Sequence, residues 1–474
     1  MGLRTGSQYL QDLRDGRQVW LDGKRVEDVT THPRLAPFAQ AMAAIFDLQH
    51  DPANRDLLTM PSPITGDRVS LAYHPPRSVD DLRRQREMLE LLQRLHGGVL
   101  GRCPQYTTLV LLGLYNQRAR IDQLNPEFAG NVARYVDYCR EHDSCLTFGF
   151  TDPPRDRRLP STTTEYLKIV DRSSKGIVIR GLKAVATLGP YADEYFGLTA
   201  TRPDLAPDEV LYFGLPVATE GLRIVCRESF ARARQADHPL SAGYDEMDAW
   251  VLFDDVFVPN ERIFMIGHPE VNEEIFRPST TSWGHALGLV RIAIKTEVLA
   301  GICFAITDYL GTRDLPHTQT LLAEVVTHLE TLRTFVRAAE EDPVYSEEGL
   351  AMPNPQQVSL GRVHSLKEHA RILEIVRELC GSGILMSPGE PDLQSEDVGE
   401  AMRRYMIGGD QRAPDRFKMM KLAWEYTSES FGMRQLLFEM HNAGSLATNQ
   451  ARLMKGYDPS ALEVLAKQIA GIDR

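Results

Sequence analysis

The sequence predicts an α+β protein, mostly α, in three consecutive parts. Three observations carry this. Apolar residues recur at three- and four-residue steps over long stretches near both ends of the chain. Between them lie short runs rich in β-branched and aromatic residues, each bounded by turn residues. The 474 residues also exceed a single domain of roughly 150 residues. The expected division is an N-terminal helical domain over 1–143, a middle β domain over 144–275 and a C-terminal helical bundle over 276–474.

In the first part, Ser7–Arg14 is a short amphipathic segment closed by Gly16, and Asp22-Gly23 inside Trp20–Val29 is a hairpin turn signal. Helices are expected over Pro33–Asp47, Val79–His96, Thr107–Asp122 and Pro126–His142. Gly97-Gly98 supplies a stop for the second of these. Strands are expected over Cys145–Thr151, Glu165–Arg172, Lys175–Gly181, Glu209–Thr219, Leu222–Arg227 and Ala249–Pro259. Ser173-Ser174 and Glu220-Gly221 suit tight reversals, and so many short strands suggest a small barrel or sandwich. In the last part, Ala286–Leu310 is apolar on more than one face, as a central bundle helix would be. Thr318–Glu341 and Gln357–Cys380 step by three and four, and Arg416–His441 and Pro459–Ile469 complete an antiparallel bundle.

A formal net charge of -12 disfavours a nucleic-acid partner, whose phosphates select basic surfaces. No apolar run of about 18 residues and no signal-peptide pattern is present, so the expected location is cytoplasmic, with no membrane partner. The six cysteines are scattered without a C-x-x-C pair and read as free thiols, with no metal expected. No dinucleotide or P-loop fingerprint occurs; Gly381-Ser382-Gly383 lacks the third glycine.

One stretch stands out for chemistry. Arg102 and Tyr106 lie four residues apart around Pro104, which suits a helix start, and an i,i+4 pair shares one face. His142, before the apolar run Cys145–Phe150, is a third candidate. A guanidinium, a phenol and an imidazole together suit a small oxygen-bearing ligand. By spacing alone, the pair is more often an ordinary first turn, and His142 reads equally as a helix cap.

The opening Arg-Thr-Gly-Ser-Gln-Tyr-Leu (4–10) and Trp-Leu-Asp-Gly-Lys (20–24) resemble the 4-hydroxyphenylacetate 3-hydroxylase family. So do Gly-Arg-Cys-Pro-Gln-Tyr (101–106), Arg-Glu-His-Asp (140–143), Asp-Pro-Pro-Arg-Asp-Arg (152–157), Ala-Thr-Leu-Gly-Pro-Tyr (186–191), Tyr-Asp-Glu-Met-Asp-Ala-Trp (244–250) and Asn-Ala-Gly-Ser (442–445). The resemblance spans nearly the whole chain. It implies an acyl-CoA dehydrogenase-like fold, whose helix–β–bundle order agrees with the periodicity. It implies the oxygenase component of a two-component system. Such a component takes FAD as FADH2 from a separate flavin reductase and uses O2 as co-substrate. It hydroxylates a 4-substituted phenol, free or carrier-protein-bound, at the ortho position through a C4a-hydroperoxyflavin. A halophenol or a natural-product intermediate is the alternative substrate within the family.

The resemblance assigns Arg102, Tyr106 and His142 to the phenol oxygen. It assigns Thr147 and the Asp152-Pro153 segment to the isoalloxazine, Thr187 to the neighbourhood of flavin N5, and Gly444 and Ser445 to a C-terminal flavin-binding turn. Leu446-Ala447 departs from the usual pattern there. Thr199 and Ala200 fall in a loop that closes over substrate. A homotetramer is expected, because Ala286–Leu310 is too apolar for one subunit's surface and relatives complete the flavin site across subunits. Two other enzyme readings are disfavoured by the sequence. A 4-hydroxybutyryl-CoA dehydratase needs three cysteines and a histidine on an iron–sulfur cluster, but Thr296 stands where the histidine belongs. An acyl-CoA dehydrogenase proper needs a bundle glutamate such as Glu297 or Glu374.

Overall fold

The fold is seen in a computed structural model that describes residues 2–102, 105–154, 156, 158, 166–405 and 413–472. The N-terminal part carries α1 (Gly6–Asp12), the hairpin β1 (Val19–Leu21) and β2 (Lys24–Val26), then α2 (Ala36–Leu48), α3 (Arg55–Leu58) and the small hairpin β3 (Thr59–Pro61) and β4 (Arg68–Ser70). α4 (Val79–Leu95), α5 (Gln105–Tyr115), α6 (Arg118–Leu124) and α7 (Pro126–Glu141) follow. Ser78 caps α4 through its side chain, and Gly97 and Gly98 end it at positive φ. The expected Asp22-Gly23 turn is present, with φ of 51° and 74°. The single helix expected over 107–122 is two, α5 and α6, broken at Asn116 and Gln117.

The middle part carries β5 (Leu146–Gly149), β6 (Lys168–Ser173), β7 (Gly176–Lys183), β8 (Glu194–Gly197), β9 (Leu211–Pro216), β10 (Leu222–Cys226), the turn of helix α8 (Ser241–Tyr244), β11 (Ala249–Pro259) and β12 (Ile263–Ile266). One sheet has the order β2-β1-β10-β11-β7-β6 and the other β12-β9-β8-β5. Tyr195 and Phe213 of the second sheet meet Phe253 of the first edge-on, at 5.3 and 5.9 Å between ring centroids, so the two sheets form a sandwich. The N-terminal hairpin belongs to this sandwich: β1 runs parallel to β10, with Val19 opposite Ile224. The first 143 residues are therefore not wholly helical. The 143/144 boundary falls in the turn between α7 and β5.

The C-terminal part carries α9 (Asn272–Thr281), α10 (Gly284–Tyr309), α11 (Pro316–Glu341), the hairpin β13 (Val344–Tyr345) and β14 (Ala351–Met352), and α12 (Pro355–Cys380). It ends with α13 (Glu390–Gln394), α14 (Gly399–Tyr405), α15 (Ala413–Thr427), α16 (Ser430–His441), α17 (Leu446–Lys455) and α18 (Ser460–Ile469). The 275/276 boundary lies inside α9. α10 is covered by α11, α12, α15 and α4 of its own chain. Its apolar faces therefore do not require a second subunit, contrary to the sequence argument. Phe304 on α10 remains 38% exposed, and other open apolar side chains include Met433 and Leu437 on α16 and Leu465 and Ile469 on α18. The helix expected over 416–441 is α15 plus α16, and Leu446-Ala447 opens α17, with Ser445 as its cap.

Candidate functional site

A cavity of about 960 Å³ lies between the sandwich and the bundle. Its walls come from five places. α5 and the residues before it supply Arg102 and Tyr106, and β5 and its exit supply Phe148, Phe150 and Thr151. The β10 exit and the approach to β11 supply Arg227 and Asp248. α9 and α10 supply Thr280 and His285, and α16 and α17 supply Arg434, Phe438, Gly444 and Arg452.

At one end, the Arg102 guanidinium stacks 3.9 Å over the Tyr106 ring and 4.6 Å from Phe148. The expected pair is thus brought together. Cys103 and Pro104 between them lie outside the described residues. The backbone N–H groups of Gly101 and Arg102 donate to the Glu246 carboxylate at 2.9 and 2.6 Å, which fixes the chain here. The side chain is left free. Arg102 is buried, is in no ion pair among the described residues, and its Nε and Nη1 have no hydrogen-bond partner. A buried cation with idle donors is costly unless a ligand supplies the acceptor.

The imidazole at this end is His285, not His142. It sits in the first turn of α10, next to Gly284, where an added Cβ would lie 3.4 Å from the Tyr106 hydroxyl. Burial, with the charges of Arg452, Arg362 and Arg102, pushes the His285 imidazole down to about 3, so it is neutral at pH 7. Guanidiniums, a phenol hydroxyl and the N-terminal end of a 26-residue helix all favour an anion or oxygen here. His142 instead follows the last residue of α7, with Nδ1 2.8 Å from the Tyr138 carbonyl and its ring 4.3 Å from that of Tyr138. It takes the helix-cap role and does not line the cavity.

The other end is an ionic shelf. The Asp248 carboxylate accepts from Arg434 Nε and Nη2 at 2.9 and 2.7 Å, from Arg227 Nε at 3.0 Å and from Thr187 Oγ1 at 2.7 Å. Burial alone would raise this carboxyl, but Arg434 and Arg227 hold it well below the usual carboxylate range. The Phe438 ring lies between the two ends, 5.6 Å from the Arg102 guanidinium and 4.7 Å from that of Arg434. Gly444, at φ 91°, lines the cavity where a Cβ would come within 3.0 Å of Thr448.

Several expected contacts fall elsewhere. Thr147 turns away from the cavity and donates to the Thr187 carbonyl at 2.7 Å; Phe148, the next residue, and Phe150, just past the end of the strand, face in. Thr187 reaches the site only through Asp248. Asp152 is held by Lys183 at 2.5 Å and Arg202 at 3.0 Å, outside the cavity. Thr199 donates to the carbonyls of Glu209 and Leu211, and neither it nor Ala200 lines the cavity. Ser445 accepts from Thr448 N at the start of α17. Of the two bundle glutamates, Glu297 is paired with Arg94 and Arg333 and Glu374 with Arg371; neither lines the cavity.

A large cavity with aromatic walls and two polar ends fits a flavin ring together with a phenol, since ligand pockets run from about 300 to 1,000 Å³. Comparison with known proteins agrees. Residues 5–265 match the family model described as 4-hydroxyphenylacetate 3-hydroxylase N terminal, and residues 273–471 match its C-terminal counterpart. A 4-hydroxyphenylacetate 3-monooxygenase oxygenase component of Geobacillus sp. (strain PA-9) is 31% identical, over 97% of this chain and 94% of its own. The oxygenase component of a 4-nitrophenol 4-monooxygenase/4-nitrocatechol 2-monooxygenase of Rhodococcus opacus is 33% identical, over 99% and 91%. A crystal structure of the oxygenase component of 4-hydroxyphenylacetate 3-monooxygenase, complexed with FAD and 4-hydroxyphenylacetate, superposes with a TM-score of 0.92. It is 31% identical and covers 98% of each chain.

Proposed function

The chain belongs to the 4-hydroxyphenylacetate 3-hydroxylase family, and from that premise we propose that it is the oxygenase component of a two-component, reduced-flavin-dependent monooxygenase. It hydroxylates a 4-substituted phenol ortho to the hydroxyl, taking FADH2 from a separate reductase. The observation that carries the reading is the buried Arg102, with idle Nε and Nη1, beside Tyr106 and the neutral His285.

Reduced FAD, when bound, supplies together with O2 the electrophilic oxygen atom. The chain's own residues do the rest. Asp248, Arg434, Thr151 and Gly444 would hold the flavin. Arg102 and the Tyr106 hydroxyl hold the phenol oxygen by charge-assisted and ordinary hydrogen bonds. This favours phenolate character, which raises the nucleophilicity of the ortho carbon. His285, a neutral imidazole, accepts a hydrogen bond from the phenol hydroxyl and orients it. Burial and the charges of Arg452, Arg362 and Arg102 make its own protonation unfavourable, so the phenol proton leaves to solvent and the phenolate is held by Arg102 and Tyr106. Phe148, Phe150 and Phe438 keep water from the reacting atoms. The protein is cytoplasmic and works as a homotetramer, in which the apolar residues left open on α16 and α18 are covered by neighbouring subunits.

The test is product analysis after turnover with a flavin reductase, NADH and a panel of phenols. A catechol-type product from at least one of them is expected. Consumption of reduced flavin with no oxygenated product from any phenol would remove the reading.

A further inference from the structure

One carboxylate joins the phenol end of the cavity to the ionic shelf. Glu246, in the approach to β11, is buried. Its Oε1 accepts from the Arg102 backbone N–H at 2.6 Å. Its Oε2 accepts from the Gly101 N–H at 2.9 Å and from Arg434 Nη2 at 3.1 Å. The Gly101 carbonyl is held from the other side by Arg291 Nη1 at 2.9 Å, and Arg291 lies on the Glu439 carboxylate at 3.0 and 2.7 Å. Both links end on α16, which carries Arg434 and Glu439. The fit is close, since a Cβ on Gly101 would lie 2.3 Å from the Phe438 ring of the same helix. The donors of Arg434 are nearly all used. Its Nε goes to Asp248, and Nη2 goes to Asp248 and Glu246, so that only Nη1 is idle. Arg102 keeps Nε and Nη1 idle. Two buried guanidiniums with donors to spare thus line one cavity, and the Glu246 carboxylate ties the backbone of one to the side chain of the other.

We propose that Glu246 is a positioning residue, which sets the Arg102 guanidinium at the phenol oxygen and in register with the flavin shelf at Arg434. The inference rests on the reading of Arg102 as the partner of the phenol oxygen. Charge and anchorage pull in opposite directions here. As a charge, Glu246 sits beside Arg102 and works against a phenolate on it. As an anchor, it fixes two successive backbone N–H groups and so fixes where the Arg102 side chain starts. A glutamine at this position has one acceptor oxygen for three donors, and its own NH2 group meets an N–H. The backbone at 101–102 then loses its hold, while Arg434 keeps both bonds to Asp248.

The opposite signs make the test. The probe is 4-nitrophenol, whose phenolate is yellow, bound to the FAD-loaded protein and followed by difference absorption as pH is varied. Arg102→Ala should raise the pH at which the bound probe ionises by about one pH unit or more, because a cation is taken from the phenolate. Glu246→Gln should raise it too, by about half a pH unit, although this variant removes a negative charge. In the double variant the midpoint should lie no higher than in Arg102→Ala alone, since the guanidinium that Glu246 positions is gone. Glu246→Asp keeps the charge, shortens the reach, and should also raise the midpoint; it carries the same cycle where the glutamine variant folds poorly. A midpoint that falls or stays on substitution of Glu246 overturns the proposal, because the carboxylate then acts as a charge or not at all. Rises that add in the double variant overturn it as well, by giving Glu246 a structural role independent of Arg102. A midpoint unmoved by Arg102→Ala, or a wild-type protein that does not bind the probe, removes the phenol-site reading itself and the inference with it.

Discussion

Arg102 is a buried cation whose two idle donors make sense only with an oxygen ligand in front of them. Arg102→Ala should therefore act on substrate more than on flavin. A lost charge-assisted hydrogen bond of roughly 1.5–3 kcal/mol corresponds to about ten- to hundredfold slower oxygen transfer. Flavin oxidation should continue, so the yield of hydroxylated product per NADH falls and hydrogen peroxide rises. Assaying both in the presence of a reductase decides this, and unchanged coupling would show that Arg102 does not serve the phenol. His285 gives a second prediction at this scale. A group held down at about 3 does not change charge between pH 5 and 8. The acidic limb of the kcat/KM profile should then follow the ionisation of the phenol, shifting as more acidic phenols are used. A limb fixed near pH 6.5 for every phenol would mean that the imidazole titrates after all.

At the scale of elements, α5 must sit against α9 to set Tyr106 beside Gly284, and Gly113 permits this. A Cβ at Gly113 would lie 2.0 Å from the Ser279 carbonyl oxygen, so one helix has to move. Gly113→Ala should cost about 1–3 kcal/mol in denaturant unfolding, the usual penalty of overpacking. A substitution without effect on the midpoint would mean that the interface is loose. α11 and α12 bring a pH dependence. Burial and neighbouring histidines push His328 down to about 3, and burial and the Lys295 charge push His369 down to about 4. The unfolded chain therefore binds protons that the folded chain refuses. The stability from each group is fully present above pH 6.5 and is lost as pH falls toward its folded value. Glu340 on α11, pushed by burial up to about 7, acts in the opposite sense. The net slope is thus mixed, but the variant difference is not. His369→Gln should lose about 2 kcal/mol less than wild type between pH 7 and pH 5. Parallel pH–stability curves for the two proteins would contradict the assignment.

At the scale of the whole molecule, the open apolar surface is concentrated near the C-terminus. Met433, Leu437 and Met440 on α16 are 51%, 48% and 41% exposed, and Leu462, Leu465 and Ile469 on α18 are 54%, 56% and 80% exposed. Met433 and Leu437 also line the cavity, so whatever covers this stripe closes the site. Such stripes are buried in assemblies rather than left in water. Light scattering at micromolar concentration is expected to give a tetramer. Leu465→Asp combined with Ile469→Asp should lower the mass and weaken reduced-FAD binding together. A wild-type monomer would remove the expectation.

The sequence by itself determined the helix–sandwich–bundle order, because period 3.6 and period 2 are local properties of the chain. It also determined the Asp22-Gly23 turn, the full extent of β11 and the nearness of Arg102 to Tyr106, although Arg102 lies before the first residue of α5 and not on its first turn. Strand parity at β5 was not legible, since all four residues of that strand are buried and either face could have held Thr147. The histidine of the site was not legible as such either. Trp-Gly-His (283–285) heads the longest apolar run, and a polar residue at that position was the available signal. But only the crossing of α5 and α10 sets His285 beside Tyr106, while His142 spends its nitrogen on its own helix. The joining of the N-terminal hairpin to β10, about 200 residues away, and the covering of α10 by its own chain were likewise decided by tertiary packing. Contacts between segments so distant leave no trace in the local pattern of either one.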